Sequence, residues 1–147
     1  MTAGYSKRPL VEKLGIKPHS NIAILNPPAG FNETLGPLPD GVVVRSKFGK
    51  PLDFIHAFFL NRKKLDLRFA ALKKALHESG ALWISWPKKA AKIETDLTDN
   101  VVREIGLRHG LVDIKVCAVD EVWSGLKFVY RVKDRKQSRE LRARRSE

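Results

Sequence analysis

Cysteine is almost absent from this chain of 147 residues, which holds one cysteine and one methionine. A single thiol closes no intrachain disulfide, so nothing in the cysteine usage calls for an oxidising compartment. Long apolar runs are missing too. The longest, Phe54 to Leu60, has seven residues and is interrupted by His56, against the ~20 that a membrane helix needs. The opening "MTAGYSKRPLVEKLG" has no apolar core of the kind that marks a secretory signal. Together these absences lead to the expectation of a cytoplasmic protein with no membrane segment. Reactive constellations are equally scarce. No nucleophile elbow, Walker loop or Cys–His pairing is present, and His19, His56, His77 and His109 lack metal-ligand spacing.

Negative charge is the other shortage. Sixteen acidic residues face 28 basic ones, for a net charge of +12. The last 17 residues carry 8 basic and 3 acidic groups, a net +5, and the remainder is diffuse. Such a surface attracts polyanions without regard to sequence, and it also keeps a protein in solution. A hydrophobic fraction of 43% and a charged fraction of 30% are those of a folded globular chain of one domain.

The apolar patterning alternates between two periods. "SKRPLVEKLGIKP" reads as a short helix with Pro9 near its first turn and Gly15 as its stop. "NIAILN" is a strand closed by Pro27-Pro28, residues 29–41 are loop with one helical turn, and "VVVR" is a short strand. "LDFIHAFFL" is apolar on both faces, as at the centre of a covered parallel sheet. Leu65, Phe69, Leu72 and Leu76 form one stripe of a helix running from about Lys63 to Ser79. Asn61 is placed to cap its start and Gly80 to end it in a left-handed conformation. "ALWISW" is a strand, about Thr98 to His109 a second helix, and "VDIKVCAVD" and "SGLKFVYRV" an antiparallel pair. Residues 133–147 lose apolar periodicity and read as a basic, disordered tail on a domain spanning 1–132.

Strands alternating with helices imply an α/β fold, a mainly parallel sheet with helices on its faces and a C-terminal antiparallel hairpin. "ESGALWISW", a helix and a final hairpin resemble the C-terminal half of the Rossmann-like class I methyltransferases, so the whole chain is similar to a truncated one. That resemblance implies a glycine-rich loop after the first strand and an acidic residue ending the second, both serving adenosylmethionine. The residues here depart from it. The loop reads "ILNPPAGF", with Gly30 as its one glycine and two prolines, and "VVVRSK" ends in Arg45. Seven residues, 46–52, are too few for a helical crossover to the next strand. Either "VVVR" pairs differently, or a strand and two helices of the parent fold are gone. No cofactor is therefore expected, with adenosylmethionine as the alternative. "AGYS…PL…KLGIK", "WPKKA…TDLT…VVRE" and "GLVDIKVCAVDE.WSGLKFV" also resemble a family of small, largely actinobacterial domains of unknown function, which implies a Rossmann-like domain and no particular activity.

The richest stretch is "ALWISWPKKAAKIETDLTDN", residues 81–100. Leu82, Ile84 and Trp86 point to one face of the strand, Trp83 and Ser85 to the other. Trp86 ends the strand where open α/β sheets bind ligands, and Pro87 throws Lys88 and Lys89 onto that edge. Two readings stand, an anion-binding rim with an aromatic wall or a solvated loop beside a packed indole. Asp96 and Asp99 precede a helix and suit capping, with acid/base work as the other option. Trp123, in a polar turn beside Asp120 and Glu121, lines a pocket or covers the sheet edge. Its turn lies either at the end of the sheet that holds Trp86 or at the opposite end. Asn26, Gly30, Trp86, Lys88, Lys89, Asp96 and Trp123 are thus the candidate ligand-binding residues, with no catalytic or metal residue among them. The function they imply is a binding or accessory domain for an anionic small molecule or a protein partner. The alternatives are an adenosylmethionine- or nucleotide-dependent enzyme with a remodelled pocket, and a non-specific nucleic-acid binder acting through the basic surface and tail.

Overall fold

The computed structural model describes residues 8–136. Pro9 precedes helix α1 (Leu10–Leu14), and Gly15 ends it at φ 84°, a left-handed conformation that glycine adopts without a steric penalty. Strand β1 (Asn21–Leu25) follows, then helix α2 (Phe31–Leu35) and the two-residue strand β2 (Val43–Val44). Strand β3 (Leu52–Phe58), helix α3 (Arg62–Ala75) and strand β4 (Leu76–Pro87) form the centre. Helix α4 (Asp99–Arg108) and the hairpin β5 (Leu111–Ala118) and β6 (Trp123–Tyr130) complete the sheet, in the order β2-β1-β3-β4-β6-β5. β1 to β4 are parallel, while β6 lies antiparallel between β4 and β5. The expected α/β class is the one observed.

The short second strand settles the pairing left open above. β2 is parallel to β1, with Val44 level with Ile22, which is itself level with Phe54 of β3. A chain leaving a strand of two residues has little height to recover before starting the next one. The seven-residue link therefore crosses from β2 to β3 without a helix, packing Phe48 against the α3 side of the core.

Two cores sandwich the sheet. Ile55, Ala57, Leu82, Ile84, Trp86, Leu126 and Phe128 pack beneath α3 and α4, with Leu65, Phe69, Leu72, Val102 and Ile105 facing them. On the other face Ile22, Phe54, Phe58 and Trp83 meet α1 and α2 through Val11, Leu14, Phe31 and Leu35. The period-2 alternation of β3 and β4 assigns each side chain to its face.

One boundary differs from the sequence expectation. α3 stops at Ala75, and Leu76 is already extended at φ −80° and ψ 128°. Leu76 pairs with Leu52, but the next paired residue, Ala81, is opposite Phe54, so residues 77–80 bulge out of the ladder. The Ser79 amide donates to His77 Nδ1 at 3.0 Å within that bulge. Gly80 is therefore not a helix cap. A Cβ there would lie 2.8 Å from the Asp53 carbonyl oxygen, so close approach of β3 is what requires glycine. Pairing of Leu76 with the buried Leu52 outweighs the helical stripe, because a strand bond and full burial are gained together.

Of the tail expected from residue 133, Val132–Asp134 form a 3-10 turn and the Arg135 guanidinium donates to the Tyr130 carbonyl at 3.2 and 3.1 Å. Residues 137–147 lie outside the described residues. No described helix is long and apolar enough to cross a membrane.

Helix α4 sits on β6 through Gly106, where an added methyl would overlap the buried Phe128 ring. Gly106→Ala is expected to destabilise the fold by about 1–3 kcal/mol, more than the ~1 kcal/mol that helix propensity returns. A urea midpoint unchanged by this substitution would contradict the packing described.

Candidate functional site

The carboxyl ends of β1, β3 and β4 reach one edge of the sheet, the edge from which β6 starts. The connection from β1 leads to β2 on one side and that from β3 leads to β4 on the other, so the topology reverses between β1 and β3. In open α/β sheets such a point is where ligands bind.

Asn26 leaves β1 at φ 54°, which asparagine tolerates better than most residues, and its Nδ2 donates to the Phe58 carbonyl at 3.4 Å. It ties the ends of β1 and β3 together. Gly30 precedes α2 at φ 80°, and a Cβ there would meet nothing within 4 Å. Its need for glycine is conformational, and open space lies beside it. Pro27 and Pro28 supply no amide donors to this loop. At the end of β2, Arg45 donates from Nε to Asn21 Oδ1 at 3.1 Å.

One step along the edge, Trp86 is 5% exposed and belongs to the α3 and α4 core. It forms the floor of a cleft and not its wall. Pro87 pairs with Trp123, and the Lys88 amide donates to the Val122 carbonyl at 2.7 Å, which holds the strand end against the hairpin. A 3-10 turn at Lys89–Ala91 then lifts the chain away. Trp86, Lys88, Lys89, Thr98, Asp99 and Val116 are among the residues lining the resulting cleft, about 650 Å³ in volume.

The acidic run is shared between two helices. Thr98 caps its own helix, its side chain accepting from the Val101 amide at 3.2 Å, and Asp99 accepts from the Asn100 amide at 2.9 Å. Asp96 serves a different helix. Its Oδ1 accepts from the Arg62 amide at 2.8 Å at the start of α3, where Asn61 also accepts from the Lys64 amide. Thr95 donates to the Leu60 carbonyl at 2.6 Å, so the whole loop docks on the α3 N-terminus. Asp96 lines a separate recess with Leu60, Asn61, Glu94 and Thr95.

Trp123 lies at the same sheet end as Trp86 but on the opposite face, edge-on to Phe58 with centroids 5.2 Å apart. Of the turn's two possible positions, the one beside Trp86 is therefore realised. Asp120 closes that turn, its Oδ1 accepting from the Val122 and Trp123 amides at 2.8 and 2.7 Å. The structure thus gathers Trp86, Lys88 and Lys89 in one cleft. Asp96 is next door, Asn26 and Gly30 are at the switch point, and Trp123 is behind the sheet. Val116 and Ser124 also line the cleft, and only the register of β4, β6 and β5 brings them there.

A fully buried pair lies under the α2 face. His56 Nε2 and Ser85 Oγ are 2.7 Å apart, and the imidazole is ringed by Phe31, Phe54 and Phe58. Burial lowers the His56 pKa to about 3, so the ring is neutral. A nucleophile-base pair of this spacing needs substrate access, and both residues are 0% exposed. Their role is to satisfy each other inside the core, leaving Nδ1 without a partner. Among the described residues, no group of three or more His, Cys, Asp or Glu side chains is placed to hold a metal ion.

No protein-family model and no curated protein matches the chain. Solved structures do. A fibrillarin pre-rRNA processing protein of Methanococcus jannaschii superposes with a TM-score of 0.56 at 11% identity, over 78% of this chain and 68% of that one. A ribosomal protein L11 methylase of Lactobacillus delbrueckii subsp. bulgaricus gives 0.54 at 12% identity, over 83% and 75%. A SAM-dependent methyltransferase of Aquifex aeolicus gives 0.53 at 18% identity, over 81% and 86%. The fold is therefore that of the Rossmann-like, SAM-dependent methyltransferases, in truncated form. Identities this low establish architecture and leave activity to the site residues. At the switch point those residues do not fit the usual way of holding adenosylmethionine. Two prolines replace loop amides, and β2 ends without a carboxylate, in Arg45, whose guanidinium turns to Asn21 at the start of β1.

The depressed His56 pKa predicts an acid-sensitive fold. Below the unfolded pKa of about 6.5 the unfolded chain takes up a proton that the native ring refuses until about pH 3. Stability is full above that window and falls through it as pH falls, by up to about 1.4 kcal/mol per pH unit from this group. Replacing His56 by Phe together with Ser85→Ala should flatten the dependence of melting temperature on pH between 6 and 4. An unchanged slope would assign the acid sensitivity elsewhere.

Proposed function

We propose that this domain is a binding module, not a methyl-transfer catalyst, and that its ligand presents an anionic group to the cleft at the end of β4. The observation that carries this reading is that Lys88 and Lys89 line one cleft together with the nearly buried Trp86. Two cations fixed at a strand end supply the charge, and an apolar floor supplies contact area for the rest of the ligand. The amides at the start of α4 are already engaged by Thr98 and Asp99, so the attraction comes from the lysines. Asn26 and Gly30 frame the loop after β1, outside the lining of this cleft. Support for a non-catalytic role comes from Pro27 and Pro28 in the loop after β1, and from the end of β2, where Arg45 takes the place in sequence of the parent fold's carboxylate.

In this reading Lys88→Ala with Lys89→Ala weakens binding of pyrophosphate, citrate or a nucleotide by about tenfold or more. The melting temperature should not fall, since both lysines are in a surface loop. A wild-type domain whose melting temperature ignores a broad panel of nucleotides and anionic metabolites would argue against it.

The shared fold itself favours one second reading, a remodelled adenosylmethionine pocket around Gly30, where space is open. Calorimetry with adenosylmethionine and adenosylhomocysteine separates the two. Heat with either ligand supports the pocket, and silence at about millimolar ligand removes it.

A further inference from the structure

A second concave surface lies at the opposite, amino end of the sheet. There the chain leaves α1 through Gly15 and passes Lys17, Pro18, His19 and Ser20 before entering β1. The bulge at residues 77–80 brings Ser79 and Gly80 to the same place, and β6 delivers Lys127 from its antiparallel course. These segments enclose a crevice of about 410 Å³, which also includes Asp53 and Phe54 in its lining.

Its lining carries Lys17 and Lys127 against Asp53, and Glu78 stands in the same bulge as Ser79, its charge acting on Tyr130. Lys127 sits beneath the end of α1, its Nζ 3.6 Å from where a Cβ on Gly15 would lie. Among the described residues no carboxylate forms an ion pair with Lys17, Lys115 or Lys127. Asp53, the one acidic residue lining the crevice, already accepts from the Asn21 amide at 2.8 Å. Lys115 donates to the Lys13 carbonyl at 3.2 Å and so stays on this side of the molecule. Burial, and then the charges of Lys115 and Lys17, hold the Lys127 pKa below its ordinary value. Gathering cations around a half-buried ammonium is unfavourable by itself, and an anion placed among them reverses the sign of each interaction.

We propose that this crevice is a binding site, separate from the Lys88 and Lys89 cleft, for a small anion bearing phosphoryl or carboxyl groups, with Lys127 and Lys17 as its principal contacts. Its volume suits a small molecule, and its position is one that the methyltransferase-like architecture leaves free of the cofactor edge. His19, which also lines the crevice, is fixed by its backbone. It has φ 62°, its amide donates to the Asp40 carbonyl at 2.8 Å, and its ring packs on Gly41.

Titrating isotope-labelled full-length protein with inorganic pyrophosphate, and separately with citrate, tests this by amide chemical shifts. Saturable shifts centred on Gly15, Ser79, Gly80 and Lys127 with either anion support the site. Lys127→Gln, and Lys17→Gln as a surface control that leaves the core untouched, should each weaken that binding about tenfold. Lys88→Ala with Lys89→Ala should leave it unchanged, so failure of either site is seen independently of the other. The proposal is overturned by no shift at about 10 mM of either anion. Shifts spread equally over unrelated lysines such as Lys63 and Lys64, or wild-type affinity in both glutamine variants, overturn it as well.

Discussion

Strand β4 is buried on both faces from Leu82 to Trp86, and the rest of the molecule is arranged around that burial. Between Leu82 and Trp86 the side chains are shut off from solvent, so each polar atom there needs a protein partner. The Trp83 indole donates to the Leu14 carbonyl at 2.8 Å, fastening α1 to the α2 side of the sheet. Ser85 meets His56. Opposite Ser85, Gly125 is the residue that fits, because a Cβ there would crowd the Trp83 ring at 3.1 Å. On the other face Trp86 closes the α3 and α4 core and leaves an edge for the cleft above. One strand therefore sets both where α1 ends and where the carboxyl-edge cleft begins.

The two ends of the sheet are chemically alike and topologically unlike. At the carboxyl edge the fold places its usual ligand crevice, but two prolines stand in the loop where amides would greet adenosylmethionine. Two lysines at the end of β4 stand beside that altered site. At the amino edge, where this architecture ordinarily only turns the chain round, three more lysines gather near a crevice. Five lysines thus line or flank the two recesses, while the last 17 residues carry a further net +5. Elsewhere Asp66 accepts from both Arg108 and His109, and Asp113 pairs with Arg103.

Local signals were read well from the residues where the local and global preferences agree. Gly15 ends α1, Asn61 and Thr98 cap α3 and α4, and Trp83 is core, all because a cap or a two-sided strand has a short-range signature. Where they disagree, the tertiary contact prevails. Leu76 continues a helical stripe in sequence, yet pairing with Leu52 makes it a strand residue and turns 77–80 into a bulge. Asp96 lies ahead of α4, yet it caps α3, because the loop from β4 folds back across the end of β3.

Sequence alone determined the alternation of periods, hence the α/β class, the hairpin, and the exit of Lys88 and Lys89 from a strand that proline must end. These depend on neighbours within a few residues, which the chain displays directly. Tertiary structure alone decided that β2 pairs beside β1, that Trp86 is a floor and Trp123 lies behind it, and that Lys17 and Lys127 meet across 110 positions of sequence. Strand order and register fix such encounters, and neither is written in the spacing of any single segment.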